Sequence, residues 1–386
     1  MQSAIAPSAS SPPAETRSAG KPELKIEGGP FHIPSLDGIR ALSILIVFLA
    51  HAGLERFVPG YFGLGLFFFL SGFLITTLLR VEFEKTRTIG LKQFYLRRVL
   101  RIFPAFYLVL AVSSGFTLLG WTGGSLTVDG VLAQVLHFTN YRIVSHGWWE
   151  GIAPGTAVYW SLAVEEHFYL VFPLLYLVLS RRLPDRNRQA AVLLGICVAV
   201  LLWRCVLVFA LGASKERTYI ASDTRIDSIL AGCILAVWKN PVLDRGSIDR
   251  RRLLTTWLPL GAVAVLASLL IWIPAFEQTA RYTLQCFGIL PFFIAAVIWH
   301  DVWPFRVLNT RPLRLIGVLS YSIYLMHTTA LWMLERHAPW SLLVRGLTAF
   351  GVVVLLALLI QRYIEAPLAR VRRALSRVAS APAAQR

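Results

Sequence analysis

Ten apolar runs limit what this chain can fold into more than any other feature. They cover residues 38–54, 62–80, 99–120, 158–180, 189–211, 221–238, 256–274, 282–299, 315–334 and 342–362. A bilayer core about 30 Å thick is crossed by about 20 apolar residues of helix. Inside it only a helix or a closed barrel satisfies every backbone polar group. The expected fold is therefore all-α: a polytopic transmembrane helix bundle of about ten spans. Composition agrees, with 56% hydrophobic and 15% charged residues and a mean hydropathy of +0.61. A soluble domain carries about 25% charged residues. The run 221–238, ASDTRIDSILAGCILAVW, opens on charge and is the least regular of the ten.

A net charge of +17 in a soluble chain would point to nucleic acid. Here it is expected to mark topology instead. With the N-terminus inside, 28 of the 38 Lys and Arg fall in cytoplasmic segments, as the positive-inside rule requires. An even number of spans then keeps the C-terminal RVRRALSRVASAPAAQR inside, so both termini are expected in the cytoplasm. Residues 1–35, rich in Ala, Ser, Pro and Gly, are read as a disordered cytoplasmic tail without a cleaved signal peptide. Residues 36–370 are read as the membrane domain and 371–386 as a basic cytoplasmic tail. Cys197, Cys205, Cys233 and Cys286 lie in apolar runs without CxxC spacing, so neither a disulfide framework nor a metal site is expected. The long outer segment, about 121–157, is too short for a soluble catalytic domain, so any chemistry belongs among the helices. No internal repeat is visible, which argues against inverted-repeat transporters.

Ionisable residues at membrane depth are costly and mark candidate sites. In LDGIRALSILIVFLAHAG, Arg40 and His51 are separated by ten uncharged residues. On an ideal helix, eleven steps of 100° end about 20° from whole turns, with a rise of roughly 16 Å. One face would then carry a cation at one depth and an imidazole at another. In YWSLAVEEHFYLVFPLL, opening at Trp160, the residues Ser161, Glu165 and Tyr169 share a face, while Glu166 and His167 flank it. Glu165 is expected either to serve chemistry or to pair with an arginine such as Arg204. Arg98 and Arg101 in FYLRRVLRIFP are three apart. They read equally as topological charge or as a guanidinium fork for phosphate. In LSYSIYLMH, Ser320, Tyr324 and His327 lie on one face. In IEAP, Glu365 is expected to tether a neighbouring cation. His32, His137, His146, His300 and His337 receive no role.

These clusters, in this order, resemble the acyltransferase-3 family of bacterial membrane O-acyltransferases over roughly residues 34–370. The resemblance is carried by Arg40 and His51 after LDGIRA, and by GLFFFLSGFLI with Ser71. Arg98-x-x-Arg101, WSLAVEEHFYLVFP, RIDSILAG, SYSIYLMH and IEAP complete it. It implies transfer of an acyl group, usually acetyl, from cytoplasmic acyl-CoA to a hydroxyl of a cell-surface carbohydrate. That acceptor would be an exopolysaccharide, lipopolysaccharide or similar glycan, free or lipid-linked, and the location would be the bacterial inner membrane. Arg40 and His51 would be catalytic, Arg98 and Arg101, with Arg40, would hold the donor, and Glu165 would match the family glutamate. Ser71, Trp160, Tyr169, Ser320, Tyr324 and His327 would support the site. The family usually has Gln where this chain has His167, which puts a strictly neutral amide role there in doubt. Some relatives carry a second, hydrolase-like domain, which is not expected here.

From the resemblance, His51 would act as general base or carry the acyl group as an acyl-imidazole, and Glu165 would orient an imidazole. No tightly bound cofactor or metal is implied; the partners would be acyl-CoA, the acceptor and membrane lipid, with no nucleic acid. Acylation of a small molecule such as a macrolide is the nearest alternative. A proton-coupled secondary transporter is more distant, and a non-enzymatic assembly component would tolerate loss of both Arg40 and His51.

Overall fold

The computed structural model describes residues 34–372. The expected tails lie almost wholly outside the described residues. Among the described residues there are helices and no strands. Ten long helices follow the ten apolar runs: α1 Pro34–Leu49, α2 Gly60–Thr86, α3 Leu91–Leu118, α4 Trp160–Arg182 and α5 Arg186–Cys205, then α6 Ser222–Trp238, α7 Leu258–Leu270, α8 Arg281–Ile298, α9 Arg311–His337 and α10 Leu342–Ile360. Among the described residues, nine helical segments are long and apolar enough to cross a membrane. The expected sixth span, α6, is a 17-residue helix and is not among those nine.

Helix ends follow local chemistry. Asp185 caps α5 by accepting from Asn187 N–H at 2.9 Å, and Ser341 caps α10 through Val344 N–H. Arg87 closes α2 at φ 58°, its N–H returning to Phe83 C=O. Four helices contain or adjoin a π-turn: Ala50–Leu54 after α1, Val206–Ala210 after α5, Leu253–Trp257 before α7 and Gln361–Glu365 after α10.

The bundle is built around α2 and α6, whose backbones touch. A Cβ on Gly72 would fall 1.9 Å from Ile229 C=O, and one on Gly232 would fall 2.0 Å from Phe69 C=O. Small residues let helices approach this closely when lipid removes the hydrophobic drive between them. α1 meets α9 in the same way, since a Cβ on Gly317 would sit 1.9 Å from Asp37 C=O. The first helix is thus wedged against α2 and α9. By contrast, α5, α7 and α10 turn large apolar side chains outward, among them Leu202, Leu266 and Leu347. Such faces suit hydrocarbon rather than water.

α6 carries its charge inward. Arg204 of α5 and Asp227 of α6 are both fully buried and 2.7 Å apart. Arg204 also donates to Asp227 Oδ1 at 3.2 Å and to Thr224 C=O at 2.6 Å. Arg204 is therefore bound to Asp227 and not to Glu165. A buried ion pair persists only when its remaining donors and lone pairs find partners. Thr224 of α6 and Thr283 of α8 supply such partners, Thr283 bonding both Arg204 and Asp227, so this short, charge-bearing segment packs inside the bundle. At the end of α10, Glu365 accepts from Ser322 Oγ at 2.6 Å, a hydroxyl where a cation was expected. The four cysteines are free.

The connection between α3 and α4 folds back as a cap containing two short helices, Val128–Val135 and Thr139–His146. Trp332 Nε1 donates to Thr122 C=O at 2.9 Å, Thr328 Oγ1 donates to Gly155 C=O, and Gln134 Nε2 donates to Thr156 Oγ1 at 2.7 Å. Outside the spans, burial, with the ring stacked on Phe103 and Phe106, pushes the His137 imidazole down to about 4, and the nearby His167 adds to this.

Candidate active site

His51 does not lie on a regular α-helix. α1 keeps α geometry to Leu49, then widens into the π-turn Ala50–Leu54. Inside the turn the helix breaks at Gly53, with φ 95°, where a Cβ would also strike Leu342 Cδ1 at 2.7 Å. Single π-turns inside helices often occur at functional sites. The ideal-helix phase from Arg40 holds only to Leu49, and the π-turn sets the direction of His51.

That direction brings His51 to α9. His51 Nδ1 is 3.0 Å from Val47 C=O and 3.1 Å from His327 Nε2, with the ring centroids 5.0 Å apart. His327 is fully buried, and its Nδ1 is 2.8 Å from Tyr324 C=O. Tyr324 Oη donates to Val158 C=O at 2.9 Å and lies 2.6 Å from Ser161 Oγ, joining α9 to α4. Tyr159 Oη makes a second link, donating to Leu325 C=O at 2.9 Å.

Val47, His51, Val158 and Tyr324 border a cavity of about 560 Å³. Seven aromatic side chains line it: Tyr61, Trp148, Trp149, Trp160, Tyr219, Tyr324 and Trp332. Its other ionisable groups are Glu55 and Glu335, and Glu335 is 3.6 Å from Arg345. Trp160 packs on Tyr219 with centroids 5.0 Å apart. The cap supplies Trp148 and Trp149, and Trp149 stands 5.3 Å from the Trp332 ring. A concave, largely apolar cavity with a few directed polar groups is the usual form of a small-ligand site.

The start of α1 belongs to a second cluster. Arg40 is held by Asp37 at 3.1 Å and lies within electrostatic reach of Arg98 and Arg101. The Arg98 guanidinium stacks over the Tyr169 ring, 4.7 Å from its centroid. Tyr169 Oη donates to Glu165 Oε2 at 3.0 Å and is hydrogen-bonded to Ser71 Oγ. Glu165 is in electrostatic reach of all three guanidinium groups.

The expected residues thus divide in two. His51, Tyr324 and Trp160 line the cavity, with His327 buried behind His51, while Arg40, Arg98, Arg101, Glu165, Tyr169 and Ser71 meet at the arginine cluster. Ser320 is buried on α9, one helical turn from Tyr324. Glu165, expected to orient an imidazole, stands among the arginines, and the imidazole facing His51 is that of His327. The physical reason is that Glu165 points toward α3 and α1, where cations stabilise a carboxylate, whereas α9 places His327 beside the π-turn. His167 reaches Ser222 Oγ at 2.7 Å and takes no part in either cluster.

Several cavity residues carried no spacing signal, among them Tyr61, Glu55, Tyr219 and Glu335. The GWW in the cap was the one local hint, since paired tryptophans in a polar loop need an apolar surface to cover.

The bundle thus carries a cation cluster at one end of its first helix and an imidazole opening on an aromatic cavity at the other. The chain matches the family model described as an acyltransferase domain over residues 33–362 and belongs to that acyltransferase family. It is 29% identical over 357 residues to the peptidoglycan O-acetyltransferase OatA of Listeria monocytogenes, covering 87% of this chain and 56% of that protein. It is 30% identical over 307 residues to the O-acetyltransferase OatA of Staphylococcus aureus (strain NCTC 8325 / PS 47), covering 77% of this chain and 50% of that protein. The chain therefore spans about half the length of these curated relatives. No solved structure matches it.

Proposed function

We propose that this chain is a membrane O-acyltransferase that moves an acetyl group from acetyl-CoA to a hydroxyl of a cell-envelope glycan. The observation that carries the reading is the arrangement on α1. Arg40 lies in a guanidinium cluster, and His51 opens on an aromatic cavity. The two residues are roughly 16 Å apart by helical rise. Acyl-CoA is a polyanion with a long, thin arm, so its phosphates and its reacting carbon must be held far apart. The bias of Lys and Arg between loops supports a cytoplasmic location for the arginine end, in the inner membrane with both termini inside. The aromatic wall supports a carbohydrate acceptor, because aromatic faces stack on the C–H faces of pyranose rings. The Listeria relative, named as a peptidoglycan O-acetyltransferase, makes that glycan the first acceptor to test.

In this reading Arg98, Arg101 and Arg40 hold the donor phosphates by charge-assisted hydrogen bonds. His51 takes the proton of the acceptor hydroxyl as the oxygen attacks the thioester carbonyl. The tetrahedral adduct collapses, the C–S bond breaks, and the CoA thiolate leaves with the proton that His51 carried.

The test is deletion of the gene, complementation, and mass analysis of the envelope glycan. The wild-type gene should restore one acetyl mass per modified sugar, and His51→Ala should not, while the variant still accumulates in the membrane. A glycan unaltered by deletion would shift the reading to a small-molecule acceptor.

A further inference from the structure

We infer that His327 is the positioning residue for His51, and that the two imidazoles form a dyad in which His327 does the work a carboxylate does in hydrolase triads. This rests on the reading of His51 as the group that takes the acceptor's proton.

Two backbone carbonyls determine the proton positions. A carbonyl oxygen only accepts, so the atom facing it must carry hydrogen. His327 Nδ1, 2.8 Å from Tyr324 C=O, therefore bears a proton. In neutral His327 this leaves Nε2 as a lone pair. His51 Nδ1 faces Val47 C=O at 3.0 Å and this lone pair at 3.1 Å, so it too bears a proton and is shared between two acceptors. The reverse arrangement would set each Nδ1 lone pair against a carbonyl oxygen. The result is a single chain in which His51 Nδ1–H donates to His327 Nε2, and His327 Nδ1–H donates to Tyr324 C=O. The one nitrogen of His51 left unprotonated is Nε2, on a residue in the cavity wall.

Which nitrogen of a histidine is free to react is decided by the bond its other nitrogen makes. When His51 Nε2 accepts the hydroxyl proton, the ring becomes cationic and its Nδ1–H bond to His327 strengthens. No proton need move to His327 for this. When Nε2 gives its proton to the departing thiolate, both rings return to their starting forms. His327 is well suited to hold still: it is fully buried, its ring lies 6.3 Å from Phe48 and 5.4 Å from Tyr324, and Tyr324 is itself tied to α4. Glu55, the residue after the π-turn, is the carboxylate within electrostatic reach of His51, and Glu335 of α9 lines the same cavity. Neither is hydrogen-bonded to the imidazole.

The experiment uses the detergent-purified full chain, acetyl-CoA as donor and soluble β-1,4-linked N-acetylglucosamine oligomers as the acceptor probe, following CoA release. His327→Leu removes the acceptor for His51 Nδ1–H. His327→Gln returns an amide oxygen near the position of Nε2. A hydrogen bond to a charged group contributes about 1.5–3 kcal/mol, which is roughly 10- to 150-fold in rate. His327→Leu should lower kcat by that factor with the KM for acetyl-CoA unchanged, and His327→Gln should recover about tenfold of the loss. Adding His327→Leu to His51→Ala should cost nothing further, since residues acting as a unit are not additive. An unchanged kcat in His327→Leu, equal loss in both His327 variants, or additive loss in the double variant would overturn the inference. Full activity of His51→Ala would instead overturn the reading of His51 on which it rests. The KM for acetyl-CoA reports folding in the single His327 variants, and thermal unfolding reports it in those that carry His51→Ala.

Discussion

Tyr169 Oη lies 3.0 Å from Glu165 Oε2, one turn away on the same helix, and the Tyr169 ring carries the Arg98 guanidinium 4.7 Å from its centroid. The pair therefore anchors the arginine cluster. The carboxylate draws in cations from α3 and α1, and the ring gives one of them a flat surface. Exposed arginines that serve topology alone need no such seat.

If that cluster holds a diphosphate, Arg98→Ala should raise the KM for acetyl-CoA by about tenfold, equivalent to about 1.4 kcal/mol. Arg40→Lys should act in the same direction, because a point charge replaces a planar fork. Both effects should shrink with rising salt. Steady-state kinetics at two ionic strengths checks this, and an unchanged donor KM in both variants would show that the cluster serves only topology.

The cavity makes an independent prediction for the acceptor. Trp149 lies over Trp332 in the wall, and its removal takes away one stacking face. Trp149→Ala should raise the acceptor KM by roughly tenfold and leave the acetyl-CoA KM as it was. Trp149→Phe, which keeps a ring, should recover part of the loss. Varying donor and acceptor separately distinguishes this from general damage.

Stability should respond sharply at Asp227. Its removal leaves Arg204 buried without its carboxylate, a change that costs about 3–5 kcal/mol. Asp227→Ala should lower the unfolding temperature in detergent far more than the joint replacement Arg204→Leu with Asp227→Leu. Thermal unfolding followed by tryptophan emission would show the order, and equal losses would mean that the ion pair is not the source.

His137 supplies a pH dependence of stability. Its folded value, about 4, lies below the ordinary 6.5 because burial disfavours the charged ring. The unfolded chain then binds more protons between these values, so stability rises with pH there. This contribution is fully present above pH 6.5 and is lost as pH falls toward 4, by about 3 kcal/mol in all. His137→Asn, which tolerates the φ of 59° found there, should flatten that part of a melting-temperature profile taken from pH 7 to pH 4.

Much of the fold was legible because a membrane span is a local property. Twenty apolar residues state their own helix, so the run 189–211 matches α5 with its π-turn within three residues, and the run 62–80 lies inside α2, which continues to Thr86. Run 221–238 was harder to read as a span, since its charge has meaning only beside Arg204. The cap between α3 and α4 announced its tryptophans but not the surface they would cover.

The sequence by itself determined the all-helical class, the pairing of a cation and an imidazole along one helix, and the identity of most ionisable groups that matter. Each of these depends on residues within about a dozen positions of one another. Tertiary structure alone decided the partners: Arg204 with Asp227, Glu365 with Ser322, Glu165 with the arginines, and His51 with His327. Helical spacing fixes depth and approximate face, but it carries no information about which helix lies opposite. That choice is made where glycines let backbones meet, as at Gly317 against Asp37, and where a π-turn re-aims His51 toward α9.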